Sequence, residues 1–179
     1  DWKVNNGATP TSNTGPDVDH TYGTASGKYI YLETSYCYNK KSFMLTPCFD
    51  FASSSKPTLQ YWYHMYGAQM GSLHVDAFVD GLWQLNIVPI VSGDQGNSWK
   101  KAVKDLSMYA GKKVYFRFRG LTGSTQRSDM AIDDILISDT TSTVGVNDME
   151  RTFALYPNPV KNLLEIRSDA FLNELFSLE

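Results

Sequence analysis

A chain of 179 residues holds one ordinary domain with an appendage, or two small ones. Its 42% hydrophobic and 13% aromatic content can bury a core, which excludes a wholly disordered chain. Sixteen Lys and Arg against 19 Asp and Glu leave a net charge of −3 with both signs scattered, so no nucleic-acid partner is expected.

No window nears the roughly 18 uninterrupted apolar residues of a membrane-spanning helix, and no membrane span is expected. The best run, residues 87–91, is far too short. The chain opens at Asp1-Trp2 without a secretory signal, as expected of a processed protein or a piece of a longer one.

Along the chain the dominant period is two. Residues 28–34 alternate and are rich in β-formers. Residues 59–66 follow Pro57 and stop at Gly67, and residues 73–79 end at the hairpin signal Asp80-Gly81. Further strands are predicted at 82–91, 99–103, 113–119 and 130–137, with no amphipathic helix before residue 150. Short strands separated by Gly, Asn, Ser and Pro point to an all-β antiparallel sandwich or barrel.

Alternation also sorts the faces. Leu59, Tyr61, Tyr63 and Met65 share one side, as do Leu73, Val75, Ala77 and Val79, and Val114, Phe116 and Phe118; these are the expected core. The other side carries Trp62, His64, Tyr66, His74, Asp76, Tyr115, Arg117 and Arg119. After Ile137 the composition turns polar and β-branched, which reads as a linker. The expected division is a sandwich over 1–138, a linker over 139–151, and an incomplete β segment over 152–179.

Several blocks are familiar in their order and spacing. They are Thr9-Pro10-Thr11-Ser12-Asn13-Thr14-Gly15-Pro16, Asp19-His20-Thr21, and Gly27 through Glu33. Next come Tyr61-Trp62-Tyr63-His64-Met65-Tyr66-Gly67, Met70-Gly71-Ser72-Leu73, Gln95-Gly96 with Trp99, and Ala131-Ile132-Asp133-Asp134-Ile135. Together they resemble a MAM domain, the module of meprins, neuropilins and receptor tyrosine phosphatases. The resemblance implies a jelly-roll β-sandwich used in adhesion, oligomerisation or substrate presentation, without catalysis. Family members normally begin with a strand carrying a Phe-Glu pair; here that strand is expected to be missing. The cysteine pair also differs from that of animal members.

Leu155-Tyr156-Pro157-Asn158-Pro159-Val160-Lys161-Asn162 is similar to the opening of a second module. That module is the C-terminal sorting domain of the type IX secretion system of Bacteroidetes bacteria, and residues 163–166 continue it as a strand. This implies a secreted or cell-surface protein of such a bacterium, carried behind an upstream catalytic domain such as a peptidase.

Catalytic signatures are absent from the sequence: there is no His-Glu-x-x-His, no Gly-x-Ser-x-Gly and no phosphate loop. Asp133 and Asp134 are neighbours on a strand, which sends their side chains to opposite faces. A thiol nucleophile, Cys37 or Cys48 with His64, has no local signature.

Calcium is the metal to consider. Asp17 and Asp19 in a turn, Glu33 at a strand end and Asp133 or Asp134 on the last strand offer hard oxygens of the kind Ca²⁺ accepts. In a jelly roll the first and last strands are commonly close, which would unite them in a structural site. Read plainly, the same aspartates are turn-formers.

Trp62, His64 and Tyr66 with Tyr115, Arg117 and Arg119 compose a possible ligand face, where rings stack on sugars and cations meet carboxylates. Read plainly, they cover a buried strand. Cys37 and Cys48 bracket an apparent hairpin, whose ends would lie within the roughly 5.5 Å Cα spacing of a disulfide, and a bridge is expected. The function expected is a non-catalytic accessory module for adhesion or interdomain contact, with a protein or glycan ligand; the alternative is a carbohydrate-binding module.

Overall fold

Strands with one apolar and one polar edge must pair and then stack, and the described part of the molecule does both. The structure, a computed structural model, describes residues 1–139 and the backbone of two further short strands. In chain order the strands are β1 Trp2–Asn5, β2 Tyr29–Leu32, β3 Lys41–Asp50, β4 Pro57–Met65, β5 Ser72–Val79 and β6 Leu82–Gln84. They continue as β7 Val91–Ser92, β8 Lys100–Asp105, β9 Lys113–Leu121, β10 Met130–Asp139, β11 Thr152–Leu155 and β12 Ile166–Arg167. Among the described residues the only helix is the single 3₁₀ turn Ser107–Tyr109.

Two antiparallel sheets form. In the first, β10 lies between β4 and β2, with β1 beyond β2 and β8 beyond β4. The second runs β3, β9, β5, with β6 and β7 both on the far side of β5. This is the antiparallel sandwich expected from the alternation.

The predicted inward sets make the core. Leu59, Tyr61 and Met65 of β4, with Met130, Ile132 and Ile137 of β10, meet Leu73, Val75 and Ala77 of β5 and Val114, Phe116 and Phe118 of β9. All are nearly inaccessible to solvent; each Val, Leu, Ile, Met or Phe among them is worth about 1.5–3 kcal/mol on burial. Across the layers Tyr61 meets Phe118 edge-on, with ring centroids 5.1 Å apart. Of the predicted inward residues only Tyr63 is half-buried.

Two expectations change. Beside them, residues 2–5 form a strand that was not predicted, antiparallel to β2. The predicted 82–91 strand breaks into β6 and β7, because Asn86 takes a positive φ of 57° and Pro89 cannot donate to a ladder.

The segment between the cysteines is a loop followed by the long edge strand β3, not a hairpin. Cys48 sits seven residues beyond the start of β3 at Lys41, opposite Tyr115; seven residues of strand carry the chain roughly 24 Å. Cys37 stays in the loop, where its carbonyl accepts Thr122 Oγ1. Both thiols are free and exposed, so the expected disulfide does not form. The hairpin was expected because Asn39-Lys40-Lys41 suggested its turn, whereas Lys41 already begins β3. Pro47 lies at a bulge between Leu45 and Cys48, where an edge strand tolerates proline.

β11 pairs with the end of β10, through Ala154 opposite Leu136. Most of the proposed linker, the Leu155–Asn162 motif beyond Leu155, and residues 163–165 of the strand predicted over 163–166 lie outside the described residues. Among the described residues no helix is long and apolar enough to cross a membrane.

Candidate functional site

The two outer faces of the sandwich have different fates, and the six residues of the expected ligand face divide between them. Trp62, His64 and Tyr66 belong to β4 and its end, on the first sheet. Tyr115, Arg117 and Arg119 belong to β9, on the second.

The first face is roofed by the loop between β1 and β2. Thr14 Oγ1 and the Gly15 N–H both donate to the Tyr66 carbonyl, at 2.9 and 3.1 Å. Trp99 Nε1 donates to the Val18 carbonyl at 3.0 Å, and Tyr29 Oη donates to that of Gly7 at 2.6 Å. The His20 ring lies flat on Trp62, with centroids 3.6 Å apart and planes 19° from parallel.

His64 is 2% exposed, with Nε2 3.0 Å from Asn97 Oδ1, and burial holds its pKa below the usual imidazole range. Roofed in this way, Trp62 and His64 are covered by the chain itself.

The same loop carries the acidic residues. Asp19 is 1% exposed and folds the loop on itself, accepting the N–H of Tyr22 at 2.9 Å and of Thr24 at 3.2 Å. Asp133 accepts the His20 N–H at 2.9 Å, and Asp134 Oδ2 lies 2.6 Å from His20 Nδ1. Asp134 also accepts Thr21 Oγ1.

Both carboxylates of the pair thus meet His20, where the sequence placed them on opposite faces. The cause is the irregularity between Asp133 and Leu136, with Asp134 at φ 47°. An aspartate tolerates that left-handed conformation, and the bulge re-aims its side chain. Burial, against the His20 N–H and with the neighbouring Asp134 charge, pushes the Asp133 pKa up to about 6.

The proposed calcium residues do not fit a single cage. Asp17 is exposed, and Glu33 lies at the opposite end of the β2–β10 ladder, with its oxygens taken by Tyr31 Oη and the Ser35 N–H. Register puts Leu32 opposite Met130, so Glu33 falls beside Asp129 and four residues from Asp133, roughly 13 Å along the strand. Among the described residues no three His, Cys, Asp or Glu side chains stand together as metal ligands.

Sequence reasoning missed Asp129. It is fully buried, and its Oδ1 accepts the Thr34 N–H at 3.0 Å and Thr34 Oγ1 at 2.9 Å. Its Oδ2 has no hydrogen-bond partner among the described residues. Burial pushes its pKa up to about 6, and the Glu33 charge adds to that rise against the Thr34 donors. The only signal was its place just before the last strand.

The second face is open. Asp76, on β5 opposite Arg117, is fully buried between two arginines. Its Oδ2 accepts Arg117 Nε and Nη2 at 3.1 and 2.8 Å and Arg119 Nε at 3.0 Å. Its Oδ1 accepts Arg119 Nη2 at 3.1 Å and the Asn86 N–H at 2.9 Å.

Burial works against this charge, but the donated bonds of Arg119, Asn86 and Arg117 prevail and hold the Asp76 carboxyl at about 2. The Arg117 guanidinium is 3.8 Å from the Trp83 ring and 4.8 Å from the Phe43 ring. Leu45 on β3 and Tyr115 on β9 complete an exposed apolar rim. Alternation had placed Asp76 and both arginines on this face, but Phe43, Leu45 and Trp83 were not legible, because β3 and β6 had not been separated as strands.

The family model "MAM domain, meprin/A5/mu" matches residues 1–142. The chain is 31% identical over 156 residues to Neuropilin-1a of Danio rerio, covering 82% of this chain and 16% of that protein. It is 36% identical over 141 residues to MAM domain-containing protein 2 of Homo sapiens, covering 75% and 19%. It therefore spans less than a fifth of the length of either relative.

Among solved structures, the K1 cleaved adhesin domain of Lys-gingipain from Porphyromonas gingivalis W83 matches with a TM-score of 0.47 at 18% identity, over 78% of this chain and 84% of that one. A Family 16 Carbohydrate Binding Module-2 matches at 0.41 and 14%, over 62% and 75%. The family match covers β1 to β10 and both outer faces of the sandwich: the chain belongs to the MAM domain family.

Proposed function

We propose that the chain is a non-catalytic adhesion module of a larger secreted or cell-surface protein, acting through the outer face of its second sheet. The observation that carries the proposal is the composition of that face. An immobilised Arg–Asp–Arg set is rimmed by exposed Phe43, Leu45, Trp83 and Tyr115. Aromatic residues and arginine are the side chains that carry binding energy at protein contacts.

The short span over the relatives supports a module within a longer chain, and the proposed parent is a hydrolase such as a peptidase. A relative named for a glycosylphosphatidylinositol anchor, from Rattus norvegicus, supports an extracellular setting. Export by the type IX route of a Bacteroidetes-type bacterium is the proposed path, supported by the Leu155–Asn162 motif alone.

The test is binding of the immobilised chain to the rest of its parent polypeptide by interferometry. Saturable binding is expected, weakened about tenfold by Leu45→Asp. Equal binding by the variant would sink the reading.

A further inference from the structure

The two arginines of the open face have donors to spare. A guanidinium carries five N–H groups. Arg117 uses Nε and one Nη2 hydrogen, both on Asp76. Arg119 uses Nε and both Nη2 hydrogens, on Asp76 and Asn86. Among the described residues, Nη1 of each has no acceptor, and Arg117 keeps one hydrogen on Nη2 beside it. That leaves Arg117 an end-on fork of the shape that pairs with the two oxygens of a carboxylate. One buried carboxylate serves two guanidiniums, so the cluster as a whole keeps a positive charge.

The cluster is also held in place before any ligand arrives. Arg117 lies between the Trp83 and Phe43 rings, and the two arginine side chains are 17% and 15% exposed. A donor already fixed loses little freedom on binding. Around it Trp83 is 37%, Tyr115 41% and Phe43 48% exposed, so ring surface stands next to the spare N–H groups.

The backbone of β9 is paired on both sides, by β3 and by β5. A ligand here therefore meets side chains only, and a peptide strand finds no main-chain partners. Tyr115, Arg117 and Arg119 are successive outward positions, which makes the platform roughly 14 Å long. That suits an extended chain of rings rather than a compact ion.

We infer that this face binds a carboxylate-bearing saccharide, a chain containing hexuronate. Its carboxylate meets the free edges of Arg117 and Arg119, and the C–H face of its ring lies on Trp83 or Tyr115. The inference rests on the reading of this face as the contact surface, and it names the ligand.

The test is affinity electrophoresis and calorimetry of the whole chain with polygalacturonate, dextran sulfate, polyglutamate and neutral dextran. Polygalacturonate is expected to bind, less tightly as salt rises, and the others weakly or not at all. Trp83→Ala should weaken binding about tenfold with an unchanged melting temperature, and Arg117→Lys about tenfold with a lowered one, because Asp76 then loses bonds it accepts from Arg117. Where Arg117→Lys does not fold, Tyr115→Ala probes the same surface through an exposed side chain.

Absence of polygalacturonate binding, or binding that survives these substitutions, overturns the assignment. So does equal binding of dextran sulfate, which reports charge alone, or of polyglutamate, which assigns the face to acidic protein. If Leu45→Asp abolishes contact with the parent polypeptide while polygalacturonate fails to bind, only the saccharide assignment falls. If polygalacturonate binds and no contact with the parent is found, only the interdomain reading falls.

Discussion

Asp76 holds the open face together and does so at a cost in desolvation. Its folded pKa of about 2 lies below the roughly 3.9 of a free aspartate. Its contribution to stability is therefore present above about pH 4 and is lost as the pH falls towards 2. Asp133 runs the other way: held at about 6, it contributes fully below about pH 4 and loses that contribution as the pH rises through 6.

Asp76→Asn leaves two largely covered guanidiniums without their counter-charge, which is expected to cost about 3–5 kcal/mol in urea unfolding at pH 7. The acid limb between pH 4 and 2 should flatten with it; a limb unchanged from the wild type would show that another group titrates there. Alternation alone placed Asp76 and the arginines on one face. That Asp76 lies beneath both depends on the register of β5 against β9, strands far apart in the chain, which no local pattern encodes.

The loop between β1 and β2 shows where local reading fails for an element. Its Thr, Asn, Asp, Gly and Pro residues have the composition of a free surface turn. Many of these polar groups instead find particular partners, and the segment lies across the first sheet. A polar segment covers a sheet only if its own polar groups are satisfied, and periodicity is blind to that.

Asp19 depends on Gly27, because a side chain there would occupy the space of the Asp19 carboxyl. Gly27→Ala should cost about 1–3 kcal/mol by overpacking. It should also speed proteolysis within residues 6–28 ahead of global unfolding, read by mass spectrometry of the first cleavage products. Cleavage at the wild-type rate would show that the loop holds without that turn. The bulge at Asp134 escaped prediction for a related reason: an ordinary strand pattern runs through it, and only the backbone angle reveals the turn.

For the molecule as a whole, period two and the spaced blocks made the sandwich and its family legible, since both follow from local pattern. The order of strands did not, because pairings such as β2 with β10 close long loops that alternation cannot register. The six-residue ligand face failed on the same point: face was legible, sheet was not.

A two-layered sandwich has two broad surfaces, yet this one has covered one with its own chain. On the proposed reading of the open face its valence is one. A divalent module would cross-link its ligands into a lattice, whereas a module with a single contact face would end the chain it attaches to and give one directional grip. Calorimetry with a short uronate oligomer should saturate at one ligand per chain, and light scattering should show no growth of larger particles; a stoichiometry of two would place a second binding surface on the molecule.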